Sequence, residues 1–263
     1  FTGIRFAHWF TYVTAKNEIK YYPNIERALE FRYDLLGELR AADSFPYTWR
    51  AVRDYTLSLW YRARGATPLV KDPIAVFSSE WLADRFDVNV VVLIRHPAAF
   101  VSSLKVKGWT FPFWHLLEQP LLMRDWLQPF EKEIRALVAG ESEIVDQGIL
   151  LWRIIYSVVA QYRRDHPAWL FVRHEDIARD PTHSFRSLYE SLGLDFSPRV
   201  RKVVQRYSTQ SNPAEEPELG SFVKRDSRAL ISCWKDRLTH EEVHRIREGV
   251  QDVAIEFYSD SDW

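Results

Sequence analysis

Residues 89–105, NVVVLIRHPAAFVSSLK, decide how this chain is read. Val90 to Ile94 form a β-branched and apolar run with nothing polar on either face. That pattern predicts a central parallel strand over 88–94, covered on both sides. The run ends on Arg95, and Pro97 two residues later suits the first position of a helix through Ser103 and beyond. A buried strand that ends on a guanidinium raises the question of what the guanidinium holds.

Outward from this stretch, apolar runs at 68–71 (PLVK) and 169–173 (WLFVR) predict two more strands. Helical periodicity covers 24–40 and 46–64, the latter closed by Gly65. A helix over 78–86 has Ser78 or Ser79 as its cap and Glu80 in its first turn. Two long helices are expected over 121–139 and 143–165. Thr182 or Ser184 opens another that Gly193 closes, and Ser197-Pro198 opens the next. Residues 210–222, rich in Pro, Glu and Gly, read as a loop. Thr239 starts the last helix, with Glu242 completing a capping box. Strands separated by helices of ten or more residues require crossover connections, hence an α/β fold with a parallel sheet.

Composition narrows the function. Of 263 residues, 46% are hydrophobic, enough for a large core. Lys and Arg number 35 against 36 Asp and Glu, for a net charge of −1, which offers no footprint for nucleic acid. The single cysteine, Cys233, forms no intrachain disulfide, and a reducing, cytoplasmic setting is expected. No uninterrupted apolar run approaches the ~18 residues of a membrane span, and the best one, 149–160, contains Arg153.

In a parallel α/β sheet, ligands bind at the carboxyl ends of the strands. Arg95 stands at such an end, next to the amides of a helix start that favour an anion. Ser103, eight residues on, lies about two helical turns away. A guanidinium, a hydroxyl and helix amides make a cradle for phosphate or sulfate. Spacing alone favours a plainer reading, a strand-end ion pair beside an ordinary helical serine.

Four segments in order shift that weight. RHPAAFVSS (95–103) resembles the 3′-phosphate motif of sulfotransferases that use 3′-phosphoadenosine 5′-phosphosulfate (PAPS), through Arg95, Pro97 and Ser103. VKDPIAVFSSEWL (70–82) looks like that family's lysine-bearing segment, and its KDP is similar to the form in tyrosylprotein sulfotransferases, so that a bacterial-type member with this motif is expected. FVRHEDIARDP (171–181) resembles the tyrosine-Glu-Asp segment, with His174 where an adenine-contacting tyrosine often stands. VKRDSRALISCWKDRLT (223–239) resembles the basic segment that closes on the 3′-phosphate, and Lys224, Arg225, Ser227 and Arg228 supply its cations and hydroxyl.

The resemblance implies a P-loop NTPase-like, three-layer α/β fold, a central parallel sheet flanked by helices in a single domain over 1–263. It implies PAPS as cosubstrate, 3′,5′-ADP as product, no metal, and a small-molecule or glycan acceptor bearing a hydroxyl or an amine. The family's glycine-rich phosphosulfate loop is not found among the nine scattered glycines. The first strand and that loop are therefore expected upstream of Phe1. The resemblance places Lys71 at the phosphosulfate, where a compact ammonium suits the leaving oxygen. The histidine that cytosolic members carry two residues after the lysine is Pro73 here, leaving Asp72 and His8 as substitutes for the acceptor base. Aromatics such as Phe6, Trp9, Trp109 and Trp114 suit either core or acceptor pocket.

HEEVH (240–244) fits a zinc pattern letter for letter, but Glu242 is also the capping-box partner of Thr239, and the flanks read as a solvated helix face. Two rival readings accompany the sulfotransferase. One is a catalytically degenerate binding protein of the same fold, favoured by the missing loop and histidine. The other is a P-loop kinase, which needs an acidic magnesium ligand where Arg95 stands.

Overall fold

The computed structural model describes residues 6–41, 44–140, 142–209, 211–213 and 226–263. The chain divides into two compact units, Phe1–Val88 and Asn89–Trp263.

The first unit is helical. A 3-10 turn at Glu18–Lys20 leads into α1 (Tyr22–Leu29), followed by α2 (Leu35–Ala41), α3 (Phe45–Ala63) and α4 (Ser79–Phe86). The continuous helix expected over 24–40 is two helices. Phe31 takes a left-handed backbone, φ 54°, and its ring stacks on Tyr61 of α3 with centroids 5.6 Å apart. Burial of that ring against a neighbouring helix overrides local periodicity. Asp34 then restarts the helix by accepting the Gly37 N–H at 3.0 Å. Gly65 closes α3 as expected, at φ 57°.

The strand expected at 68–71 does not form; these residues follow α3 without regular structure, and Leu69 is 91% exposed. A strand needs a neighbour to satisfy its backbone, and the described residues offer it none. Ser78 stands before α4 but does not cap it. Its hydroxyl accepts from the Val13 N–H at 2.9 Å and donates to the Thr11 carbonyl at 2.8 Å, tying two distant segments instead.

The second unit carries the sheet. Strand β1 (Val91–Ile94) pairs in parallel with β2 (Leu170–Arg173), from Val91 opposite Leu170 to Ile94 opposite Arg173. These are the two strands among the described residues. Among the described residues the expected central strand thus has a single neighbour. Ile94 is buried, while Val91 and Leu93 are 42% and 53% exposed on the other face. Helix α5 (Pro97–Lys107) follows β1 as the Pro97 signal predicts.

Short helices α6 (Trp114–Leu117) and α7 (Pro120–Leu122) come next. The single helix expected over 121–139 is broken into α7, a π-turn at Met123–Leu127, a 3-10 turn at Gln128–Phe130 and α8 (Glu131–Ala139). Pro129 lacks the N–H that a continuous ladder needs.

Helix α9 (Ile144–Asp165) is long and apolar enough to cross a membrane, but it serves as the core helix of this unit. Trp152, Ile154, Val158 and Tyr162 are all buried. Helix α5 approaches it where Gly148 leaves room. A Cβ at that position would lie 3.0 Å from a Val101 methyl.

After β2 come α10 (His174–Arg179), α11 (Pro181–Ser191) and α12 (Pro198–Ser208). Asp180, rather than Thr182 or Ser184, caps α11, accepting from the His183 N–H. Gly193 follows with φ 65°, and Ser197 caps α12 as expected. Most of the predicted loop at 210–222 lies outside the described residues. Short helices α13 (Ala229–Ser232) and α14 (Trp234–Arg237) precede α15 (His240–Ala254), whose Thr239–Glu242 capping box forms as predicted.

Candidate functional site: the arginine corner after the first strand

Arg95 and His174 leave the paired strands at the same level, because Ile94 and Arg173 are register partners. The sheet therefore presents them side by side at its carboxyl edge. His174 is held below its ordinary imidazole value by burial first and by the charge of Arg95 second, which agrees with that neighbourhood.

Side chains from distant elements hold the main chain of this corner. The Arg95 N–H donates to the Tyr156 hydroxyl at 2.9 Å, and the Arg95 carbonyl accepts from the Trp152 indole at 3.0 Å. Trp152 and Tyr156 lie four residues apart on α9, so they share one helix face, and their rings stack at 4.5 Å. The His96 N–H donates to Glu175 Oε1 at 2.9 Å, while Glu175 Oε2 accepts from the Tyr258 hydroxyl at 3.0 Å. His96 is 2% exposed, and its ring is enclosed by aromatic neighbours. It stacks on Trp234 at 5.2 Å and meets the edges of Tyr258 and Trp263. Neither of its ring nitrogens has a partner among the described residues, and burial pushes His96 down to about 4.

The Arg95 side chain stands out against this well-satisfied main chain. Its Nε is buried with no hydrogen-bond partner, and no ion pair engages its guanidinium among the described residues. Burial draws its proton affinity below the usual value, opposed by Cys233, Tyr156 and Glu175. A mostly buried cation without a counter-anion is costly, and a bound anion removes that cost. Strand end, guanidinium and the start of α5 together suit phosphate or sulfate.

Of the other expected residues, Ser103 lies half-buried on α5. Ser102, which sequence reasoning did not single out, has a buried hydroxyl without a partner among the described residues. Ser227 is half-buried ahead of α13. Arg228 Nε donates to the Arg179 carbonyl at 3.0 Å, so part of that guanidinium caps the end of α10. Lys224 and Arg225 lie outside the described residues. Lys71 belongs to the first unit, in an exposed segment followed by Asp72, whose Oδ1 accepts the Ile74 N–H at 2.9 Å. Glu242 of the HEEVH run is engaged by Lys105 Nζ at 2.6 Å and by the Thr239 N–H.

Sequence reasoning missed Glu175, Tyr156, Trp152 and the aromatic ring set around His96. The available signals were the Trp152–Tyr156 spacing on a strongly apolar helix and, for Glu175, its place in the segment FVRHEDIARDP.

No protein-family profile matches the chain, and no solved structure does. Curated proteins do. Over 177 residues the chain is 28% identical to carbohydrate sulfotransferase 3 of Rattus norvegicus, covering 59% of this chain and 31% of that protein. Over 170 residues it is 26% identical to carbohydrate sulfotransferase 1 of Rattus norvegicus, covering 54% and 40%. Over 211 residues it is 23% identical to carbohydrate sulfotransferase 5 of Homo sapiens, covering 76% and 42%. The chain spans between about a third and two fifths of the length of these relatives. The curated proteins that this chain is similar to, on these alignments, are carbohydrate sulfotransferases.

Proposed function

We propose that this chain is a PAPS-dependent sulfotransferase with the P-loop NTPase-like fold, moving a sulfuryl group to an acceptor hydroxyl and releasing 3′,5′-ADP. The observation that carries the reading is Arg95: a largely buried guanidinium at a strand's carboxyl end with no anion among the described residues to answer it. The similarity to carbohydrate sulfotransferases supports the same reaction class. Arg95 and Ser103 grip the nucleotide's 3′-phosphate, His174 lies against the adenine, and Ser227, Lys224, Arg225 and Arg228 close over the phosphate. Lys71 serves the phosphosulfate end.

In the transfer, the acceptor oxygen forms a bond to sulfur while the bond from sulfur to the bridging phosphate oxygen breaks. The hydroxyl proton passes to a base, for which Asp72 and His8 are the candidates. As in phosphoryl transfer, placed cations and in-line geometry supply most of the acceleration. The acceptor is a small molecule or a glycan; the names of the relatives point to carbohydrate.

Calorimetric titration with 3′,5′-ADP tests the reading. Arg95→Ala should weaken binding by about 1.5–3 kcal/mol, the loss of a charge-assisted hydrogen bond. Equal affinity in the variant would remove Arg95 from the site. Nucleotide binding without turnover of labelled PAPS across an acceptor screen would favour the degenerate binding protein.

A further inference from the structure

We propose that helix α3 docks on an anionic lipid surface, lying flat in the interface with its apolar stripe against the acyl chains and its arginines at the phosphates. The helix runs from Phe45 to Ala63, a length of about 28 Å at 1.5 Å per residue. Its buried line is Ala51, Asp54 and Ser58. The Ser58 hydroxyl donates to the Tyr55 carbonyl at 2.7 Å, and Arg53 donates twice to Asp54 Oδ1, at 2.9 and 2.7 Å. Small and polar side chains are thus turned inward.

The large apolar side chains are turned outward. Phe45, Trp49, Val52, Leu59 and Trp60 stand at i, i+4, i+7, i+14 and i+15, one stripe of a 3.6-residue helix, and all are exposed. Thr56 is the one hydroxyl in that stripe. Phe45 is 83% and Trp49 65% exposed. A helix that buries Asp and Ser while exposing Phe and Trp reverses the arrangement of a water-facing helix, and its outer stripe calls for a partner.

Charge selects that partner. By helical spacing Arg50, Arg53 and Arg64 run along one edge of the stripe, and Arg62 stands beyond the other. Asp54 is the single carboxylate of α3; it is buried, held by Arg53, with Arg50 3.7 Å away. The outer surface of the helix therefore carries cations and no carboxylate of its own. The Arg64 guanidinium lies over the Trp60 ring, 4.2 Å from its centroid, a pairing of cation and indole suited to a headgroup boundary. Trp, Phe and Leu on one face with arginine at its edges is the pattern of an interfacial helix that prefers anionic lipid. A second copy of the chain fits less well, because pairing through this stripe would oppose two arginine rows with no α3 carboxylate to answer them. A polysaccharide would bring many hydroxyls to a stripe that offers one, whereas acyl chains need no hydrogen-bond partner.

The test is sedimentation of the full chain with vesicles of phosphatidylcholine, alone or mixed with phosphatidylserine. We expect binding to the mixed vesicles that weakens at high salt, and much weaker binding to the neutral ones. Phe45→Ser with Trp49→Ser should weaken binding by at least ~10-fold through lost apolar burial. Arg50→Gln with Arg64→Gln should weaken binding to mixed vesicles by roughly 30-fold and leave the neutral ones unchanged. In the unmodified chain, brominated acyl chains should quench tryptophan fluorescence. Trp49→Phe should keep the binding and lose part of that quenching, a readout that needs no destabilising change.

The proposal is overturned if mixed vesicles do not bind, if they bind no better than neutral ones, or if binding survives both double substitutions. Self-association abolished by Phe45→Ser with Trp49→Ser, without vesicle binding, would assign the stripe to a second copy. Heparin binding at these residues without vesicle binding would assign it to an acidic polysaccharide. The inference stands on α3 alone, so its failure leaves the nucleotide reading at Arg95 intact, and failure of that reading leaves α3 as it is.

Discussion

The carboxylate of Glu175 accepts the backbone N–H of His96 at 2.9 Å. Glu175 is 3% exposed, and its second oxygen takes the Tyr258 hydroxyl, so one buried group joins the β1 corner, the start of α10 and the segment after α15. Removing it orphans a buried N–H and a buried hydroxyl together. Glu175→Ala is expected to destabilise the protein by about 3–4 kcal/mol, two unsatisfied groups at ~1–3 each less partial rescue by water. Glu175→Gln, which keeps an acceptor for His96, should lose about 1 kcal/mol. Urea denaturation followed by tryptophan fluorescence measures both; equal losses would show that the acceptor geometry is irrelevant.

Arg95 sets function against stability. Arg95→Met removes a largely buried charge that no anion among the described residues answers, and keeps an unbranched stem of similar reach. The unliganded variant should be more stable than the parent by about 1–2 kcal/mol, as replaced buried ions often are. Adding 3′,5′-ADP at 100 times its Kd should stabilise the parent by about 2.7 kcal/mol and leave the variant almost unmoved. Thermal denaturation with and without nucleotide reads both effects. A destabilised variant would mean that a partner already answers the guanidinium.

His96 makes stability depend on acid. Burial lowers its folded value to about 4, against an ordinary 6.5 in the unfolded chain. Between those values the unfolded state binds more protons than the folded one, so stability falls as pH drops. The contribution is fully present above pH 6.5 and is lost down to about pH 4, roughly 3 kcal/mol in all at 1.36 kcal/mol per unit. Asp262, which hydrogen bonds from Arg173 and Ser259 hold at about 2 against the opposing effect of burial, adds a separate loss only below about pH 3.8. His96→Phe should flatten the curve between pH 4 and 6.5 and spare the lower window. An unchanged slope in denaturant midpoints across pH 4–6.5 would place the titration elsewhere.

The packing of α15 on α9 depends on a missing methyl. A Cβ on Gly249 would lie 2.7 Å from the Ile149 Cγ2, which real contacts do not tolerate. Gly249→Ala gains up to ~1 kcal/mol in helix propensity but meets an overpacking cost of about 1–3. A net loss of about 1 kcal/mol is expected, recovered in part by adding Ile149→Ala. A double-mutant cycle in urea checks the coupling; strictly additive effects would deny the contact.

Local signals were legible where the physics is local. The β1 run, Arg95 at its end, Pro97 opening α5, Ser197 capping α12 and the Thr239–Glu242 box all depend on residues within one turn of each other. Such rules need no knowledge of the rest of the chain. The break at Phe31 was not legible, because it follows from a ring stacking on Tyr61, thirty positions away. Nor was the strand at 68–71 excluded by its sequence; strands exist only where a neighbour pairs with them. Pro129 is a local signal, and it splits the helix that periodicity alone predicts over 121–139.

The candidate site divides in the same way. Sequence by itself determined which side chain ends the strand, and through four ordered segments it pointed to a chemistry. Tertiary structure alone decided that Arg95 is a largely buried cation without a partner among the described residues, that Tyr156 and Trp152 hold its backbone, and that Glu175 holds the next N–H, that of His96. It also decided that Trp234, Tyr258 and Trp263 enclose the neighbouring His96. Those partners are 57 to 79 residues distant for the backbone bonds. Burial and desolvation, which turn an arginine from a solvated charge into an anion receptor, are properties of what the rest of the chain packs around it.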